Sequence, residues 1–145
     1  MPTDEATRTV TVAAPFDAVL ATVRDVASQP EWVAEIRSAE VLEVGSDGLP
    51  ARAHFTANAP VGTDEYTLAY EHRDDGLSWS LVSGRLQTGQ DASYTLRAVD
   101  AGHTEVTFDL RISHNLPLPG FLRRKVIGGL ADSTVNGLTR RVESA

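Results

Sequence analysis

Three tyrosines and one histidine are the side chains in this sequence best placed to do chemistry inside the molecule. Tyr66, Tyr70 and Tyr94 fall on the same alternate positions as the apolar residues of their segments, and His72 continues that pattern. Side chains alternate across a strand, so these positions face the interior of a sheet. A phenol hydroxyl can polarise a carbonyl group and an imidazole can move a proton, which makes these four the candidate catalytic residues. The alternative is that the tyrosines only pack, with each hydroxyl at the rim or bonded to the backbone.

The same alternation predicts an aromatic wall around these groups. Around a turn at Asp74–Asp75, the expected facing pairs are Tyr70 with Trp79, His72 with Leu77, and Leu68 with Leu81. An aromatic wall with a few hydroxyls suits a flat, partly oxygenated ligand. The predicted ligand-binding residues are Phe55, Tyr66, Tyr70, Trp79, Tyr94, Phe108, His114 and Leu130.

The remaining polar motifs do not support metal or nucleotide chemistry. His103, Glu105 and Asp109 lie along a predicted outward face without a fourth ligand or an enclosing shell. The segment from Gly84 to Gly89 has the outer spacing of a phosphate loop, but it continues with Gln-Asp where lysine and a hydroxyl are required. We therefore expect no metal and no cofactor.

Alternating segments separated by turn residues must position the candidate groups. Turn sequences that contain Asp-Gly or Asp-Ala-Gly recur at 46–48, 74–76 and 100–102, where glycine permits tight hairpins. Gly84 and Gly89 are predicted to mark a turn and a bulge. The predicted strands, which form an antiparallel meander after a separate first strand, are 7–13, 38–45, 50–58, 63–73, 76–83, 86–99 and 103–114.

Two short helices are predicted between the first strand and the meander. Pro15 is favourable at the start of a helix, and Phe16, Val19 and Val23 follow at helical spacing. Ser28 and Glu31 have the spacing of a capping box, which predicts that a second helix begins there.

A third, longer helix is predicted at the C-terminus. Apolar residues recur every fourth position across 121–142, and Leu130 belongs to that stripe. Gly128 and Gly129 interrupt it at a cost of about 1 kcal/mol each relative to alanine. They indicate either a kink or close packing, or else room for a ligand beneath the helix. The pattern as a whole predicts an α+β protein: a curved antiparallel sheet of about seven strands, in the order β-α-α-β6-α, wrapped around one helix.

Composition limits the classes of function. The chain has 145 residues, no cysteine and a formal charge of −7, which favours one domain over 1–145 and disfavours nucleic acid as a partner. No signal peptide or membrane-spanning stretch is recognisable, so we expect a cytoplasmic protein without stable membrane insertion. The basic residues Arg123, Arg124 and Lys125 oppose the dipole of the last helix, which indicates either a weak anionic contact or pairing with nearby acids.

Four segments carry a resemblance to a known family: Ala14–Val19, Gln29–Trp32, Leu77–Trp79 and Leu116–Gly120. Together with the order of elements, they resemble the START-like, helix-grip (SRPBCC) superfamily, specifically its polyketide cyclase/dehydrase-like group of actinobacterial type. The resemblance covers nearly the whole chain. It implies a helix-grip domain with a cavity between the sheet and the C-terminal helix.

Three alternative functions follow, and the resemblance implies the first two. The first is binding or transport of a hydrophobic small molecule, either lipid-like or aromatic. The second is a polyketide cyclase or dehydratase, in which the tyrosines or His72 would act on a ketone during aldol closure or dehydration. The third is a protein-binding module with a filled cavity. Cyclases that resemble this fold place arginine in the cavity, whereas Arg52, Arg97 and Arg111 fall on the outer face here, which weakens the second alternative.

Overall fold

Seven antiparallel strands form one sheet in the spatial order β1-β7-β6-β5-β4-β3-β2. The structure is a computed structural model that describes residues 3–144; residues 1, 2 and 145, at the ends of the predicted domain, lie outside the described residues. The elements are β1 (Thr3–Val12), α1 (Phe16–Arg24), a 3-10 helix (Val26–Glu31), β2 (Ile36–Val44), β3 (Pro50–Ala59), β4 (Gly62–Arg73), β5 (Gly76–Gly84), β6 (Gln87–Asp100), β7 (His103–His114) and α2 (Gly120–Glu143). The predicted α+β fold class is confirmed.

The hairpins have the predicted register. Tyr70 pairs with Trp79, His72 with Leu77, and Leu68 with Leu81. Gly76, which begins β5, has a φ of 149°, and a Cβ there would lie 1.9 Å from the carbonyl oxygen of Tyr94. Glycine is therefore required at this turn by both conformation and space. The predicted bulge at Gly89 is confirmed by a register shift between β6 and β7 at that residue.

The second predicted helix is wrong in type and position. A 3-10 helix ends at Glu31, where the capping box was expected to begin a helix. The hydroxyl of Ser28 donates to the carbonyl oxygen of Asp25 and accepts from the indole Nε1 of Trp32. Because it bonds to these partners instead of free amides ahead of it, Ser28 fixes a buried tryptophan and caps no helix.

The long helix α2 packs against the sheet and against the segment around Trp32. A Cβ at Gly137 would lie 1.7 Å from the carbonyl oxygen of Trp32, so close packing explains this glycine. The expectation that Gly128 and Gly129 make room for a ligand is wrong, since neither residue lines the cavity. Gly129 is exposed, and Gly128 lies beside the guanidinium of Arg8.

Candidate functional site

A cavity of about 340 Å³ lies between the inner face of the sheet and α2. Inward positions of β3 to β7 line it from one side, and Val126, Ile127, Leu130 and Thr134 of α2 line it from the other. The turn after β3, the loops that follow β5 and β7, and the segment from Gln29 to Ile36 complete its lining. The volume falls within the range of about 300–1,000 Å³ that is typical of small-molecule sites.

Four aromatic rings form a continuous patch on the sheet side of the cavity. The ring centroids are 5.7 Å apart for Tyr70 and Trp79, 5.3 Å for Trp79 and Tyr94, and 5.0 Å for Tyr94 and Phe108. These separations are those of favourable aromatic pairs. Because the residues lie on the adjacent strands β4 to β7, the hydrogen bonds between these strands hold the four rings in place. A flat apolar ligand would therefore find a preformed surface.

The three tyrosine hydroxyls make no hydrogen bond within the described residues 3–144. All three residues line the cavity, and all are more than nine-tenths buried. The hydroxyl of Tyr70 is itself inaccessible to solvent and without a partner. Buried polar groups in proteins are almost always hydrogen-bonded, so three tyrosine hydroxyls without a protein partner beside one cavity are unusual. Water or a ligand in the cavity can satisfy those of Tyr66 and Tyr94 directly, and can satisfy that of Tyr70 after a small movement of the side chain.

Burial keeps these phenols neutral. It is the main cause that raises the pKa of Tyr66, Tyr70 and Tyr94 well above the ordinary value. The charges of Asp64 and Glu35 raise the pKa of Tyr66 further. Gln29 lowers the pKa of Tyr70, but its influence is the smallest, and the contact does not meet the geometry of a hydrogen bond. The tyrosines are therefore able to donate hydrogen bonds, and they do not act as bases at neutral pH.

A relay of polar side chains runs along the cavity wall from the aromatic patch to the buried Asp64. The indole Nε1 of Trp79 donates to Gln90 Oε1 at 2.7 Å, Gln90 Nε2 donates to Gln87 Oε1 at 2.6 Å, and Gln87 Nε2 donates to Asp64 Oδ2 at 2.8 Å. An indole only donates and a carboxylate only accepts, so both amide orientations are fixed by the ends of the relay. Every donor points towards Asp64, which also accepts from the backbone N–H of Leu86 at 2.9 Å.

A second polar cluster lies where β1, β7 and α2 meet. The buried His114 contacts Asp4 through Nε2 at 3.0 Å, and its Nδ1 accepts from the backbone N–H of Leu116 at 3.2 Å. Since Nδ1 accepts, the proton is on Nε2 and the ring is neutral. Arg123 Nε reaches the same Asp4 oxygen at 3.4 Å. Both ring nitrogens of His114 are thus occupied, although the residue lines the cavity.

Two of the predicted site residues do not line the cavity. Phe55 is fully buried, and its ring stacks on Tyr66 with centroids 5.3 Å apart, so it supports that tyrosine from outside the cavity. His72 lies near the turn between β4 and β5, where its Nε2 donates to the carbonyl oxygen of Pro50 at 2.7 Å. His72 is therefore not among the residues that line the cavity, and a catalytic role for it stays a prediction. The other predicted ligand-binding residues all line the cavity: Tyr66, Tyr70, Trp79, Tyr94, Phe108, His114 and Leu130.

The strand arginines have the predicted outward orientation. Arg52, Arg97 and Arg111 are exposed and pair with Glu43, Glu105 and Glu5. In the basic cluster, Arg123 is bound to Asp4 and to the carbonyl oxygen of Leu118. Arg124 and Lys125 are exposed, and an anionic contact there stays a prediction.

Sequence reasoning missed Asp64 and Gln90, although the signal was present. Both occupy the inner parity of their strands, in line with Tyr66 on β4 and Tyr94 on β6.

In the described part of the chain, no three histidine, aspartate or glutamate side chains group as a metal site requires. None of the described helices is long and apolar enough to cross a membrane.

The family model described as polyketide cyclase / dehydrase and lipid transport matches residues 3–143. A START superfamily protein from Mycobacterium smegmatis has a TM-score of 0.89 and 23% identity, with 97% of each chain covered. An aromatase/cyclase from a Streptomyces species has a TM-score of 0.84 and 15% identity, covering 98% of this chain and 94% of that one. A protein from Thermus thermophilus has a TM-score of 0.80 and 20% identity, covering 99% and 98%. A comparison with curated proteins finds no match.

Proposed function

The chain belongs to the polyketide cyclase / dehydrase and lipid transport family, and on that basis we propose that it binds a hydrophobic, cyclic small molecule in the cavity between the sheet and α2. The observation that carries this proposal is the pairing of an open apolar cavity of about 340 Å³ with three buried tyrosines whose hydroxyls have no hydrogen-bond partner among residues 3–144. The START fold, shared with the structural neighbours, supports it.

The binding mode follows from the lining. A flat ring system would lie against the patch of Tyr70, Trp79, Tyr94 and Phe108, where aromatic contacts add to the burial of apolar area. Oxygen atoms on the ligand would accept from the tyrosine hydroxyls. Each such bond would satisfy a group that is otherwise buried and unpaired, so it would favour binding by about 1 kcal/mol.

A cyclase or dehydratase is the second candidate, and the neutral tyrosines favour it because they could donate to a ketone. The reaction would also require a general base, and few groups in the cavity can act as one. His114 has both nitrogens occupied and His72 lies outside the cavity. Among the described residues that line the cavity, this leaves the carboxylates Asp64 and Glu35 to accept a proton. Binding without turnover requires no such group, so binding is the conclusion. The third alternative, a protein-binding module, required a filled cavity, and the cavity is open.

The test is a fluorescence titration with N-phenyl-1-naphthylamine, a neutral aromatic probe, against a matched pair of variants. Leu130→Trp adds the same bulk to the cavity wall that Leu42→Trp adds to an exposed position on β2. We expect the cavity variant to lose at least about tenfold in probe affinity and the surface variant to keep it, since the larger side chain narrows the cavity beside the aromatic patch and clashes with a bound ring system. Thermal unfolding of both variants checks that they fold.

Two outcomes would contradict the proposal: no binding to the parent protein, or the same loss of affinity in both variants. Native mass spectrometry of freshly purified protein, followed by denaturing extraction, would identify any co-purified ligand. For the second candidate, a linear poly-β-ketone would have to be converted to a cyclic product by the parent protein and left unconverted by an Asp64→Asn variant that still binds the probe.

A further inference from the structure

One end of the cavity carries two carboxylates, Asp64 and Glu35, and neither forms a salt bridge within residues 3–144. The guanidinium of Arg85 is directed at the carbonyl oxygen of Thr63, at 3.5 Å, and does not line the cavity. Asp64 is 4% exposed and lines the cavity, where it accepts from the backbone N–H of Leu86 and the amide of Gln87. Glu35 lines the same cavity and accepts from the hydroxyl of Ser133 at 2.6 Å. A carboxylate offers about four acceptor positions, so the two bonds to Asp64 leave acceptor capacity unused.

No arginine or lysine is among the described residues that line the cavity. The one imidazole there, His114, is neutral because its Nδ1 accepts a hydrogen bond, and its Nε2 is directed at Asp4. Arg123 is held by that same aspartate. An anionic group on a ligand would therefore lose its hydration and meet two carboxylates without gaining a cation.

A separate observation shows that the cavity is built for hydrogen bonding with a ligand. Tyr70 lines the cavity and is more than nine-tenths buried, and its hydroxyl has no hydrogen-bond partner. The relay from Trp79 to Asp64 directs its donors along the wall, so the wall presents an acceptor at the Asp64 end and phenol groups elsewhere. A ligand that satisfies both carries a hydrogen-bond donor at one end and an oxygen acceptor further along.

We propose that the cavity selects by charge: it takes neutral cyclic molecules that carry a hydroxyl or similar donor, such as phenols and alcohols, and excludes carboxylates, sulfonates and phosphates. Asp64 is the main determinant of this selection, with Glu35 as the second. This inference rests on the proposed function, since it presupposes that the cavity binds a small molecule. It excludes fatty acids and phospholipids as ligands.

The test uses two fluorescent probes that differ by a single anionic group. N-phenyl-1-naphthylamine is neutral, and 8-anilinonaphthalene-1-sulfonate is the same ring system with a sulfonate added. For the parent protein we expect the neutral probe to bind at least about tenfold more tightly, because like charges repel strongly across a low-dielectric site. In Asp64→Asn we expect this ratio to shrink several-fold through tighter binding of the sulfonate. Asp91→Asn on the exposed outer face makes the same change in net charge and is expected to leave the ratio unchanged.

The outcomes separate this inference from the proposed function. If neither probe binds the parent protein, the proposed function fails and the charge selection fails with it. If both probes bind equally well, or if Asp64→Asn and Asp91→Asn shift the ratio alike, the charge selection is overturned while binding stands. Should Asp64→Asn fail to fold, Glu35→Gln is the second variant, and 2-naphthol against 2-naphthoate on the parent protein gives an independent comparison that requires no mutation.

Discussion

Two groups of polar side chains share this cavity and differ in how they are satisfied. His114, at the junction of β1, β7 and α2, has both ring nitrogens occupied by Asp4 and the backbone of Leu116. The hydroxyls of Tyr66, Tyr70 and Tyr94 have no partner within the part of the chain that the structure describes. The first group contributes to the stability of the fold, whereas the second is free to bind a ligand. Mutations in the two groups should therefore affect different measurements.

The largest effect on stability is expected at alkaline pH, because the buried tyrosines resist ionisation in the folded protein. Their pKa values are raised in the folded protein, so above about pH 10 the unfolded chain loses phenol protons that the folded chain keeps. The contribution of the phenols to the free energy of unfolding is fully present below the unfolded pKa and is lost as the pH rises above it. The loss is about 1.4 kcal/mol per pH unit for each tyrosine, or about 4 kcal/mol per pH unit for all three together.

Phenolate absorbance, followed together with far-ultraviolet circular dichroism, measures this effect. The chain has three tyrosines and a single lysine, Lys125, so few other groups titrate in this range. We expect phenolate absorbance to appear only with unfolding. Phenolate formation near pH 10 while the circular dichroism stays native would show that the hydroxyls are accessible and would remove the contrast between the two groups.

Breaking the satisfied group should give the next largest effect. Asp4→Ala removes the partner of the buried His114 and of Arg123, and we expect a loss of about 3 kcal/mol in the free energy of unfolding in urea. Glu5→Ala is the matched control, because Glu5 is the adjacent residue but pairs with Arg111 on the exposed face. It should cost less than about 0.5 kcal/mol. Equal losses in the two variants would mean that the cluster around His114 is not a special source of stability.

Breaking the relay between Trp79 and Asp64 should have an intermediate effect on stability, smaller than that of Asp4→Ala and larger than that of removing a tyrosine hydroxyl. Gln90→Leu leaves the indole N–H of Trp79 and the amide oxygen of Gln87 without partners, at a cost of about 1–2 kcal/mol. In a proton NMR spectrum, the indole N–H resonance of Trp79 should shift and that of Trp32, which donates to Ser28, should stay in place. If neither resonance moved, the relay would not exist as described.

The sequence was sufficient to predict the sheet because alternation and turn glycines are local signals. Residues two apart on a strand share a face whatever lies elsewhere in the chain, and Gly76 marks a turn that few other residues could make. Long-range pairs have no such signal. Asp4 and His114 are 110 residues apart, and only the pairing of β1 with β7 brings them together.

Parity predicted which face a residue occupies but not its position along the cavity. His72 and Phe55 share the inner parity with the tyrosines, yet His72 lies near the hairpin turn and Phe55 is covered by Tyr66. Ser28 shows a second limit, because the capping-box spacing describes possible backbone partners and says nothing of the indole that competes for the hydroxyl. The site therefore depends on tertiary packing in a way that the fold does not.

The smallest effect on stability, and the sharpest test of the contrast, is expected from Tyr70→Phe. The hydroxyl that this substitution removes is buried and bonded to nothing, so the free energy of unfolding should stay constant or rise by up to about 1 kcal/mol, in contrast to the loss from Asp4→Ala. Affinity should respond differently: a neutral aromatic ligand with an oxygen acceptor should bind about fivefold more weakly, while its deoxygenated analogue binds as before. A loss of stability near that of Asp4→Ala would mean that the hydroxyl has a partner inside the folded protein, and the distinction between satisfied and free polar groups would no longer hold.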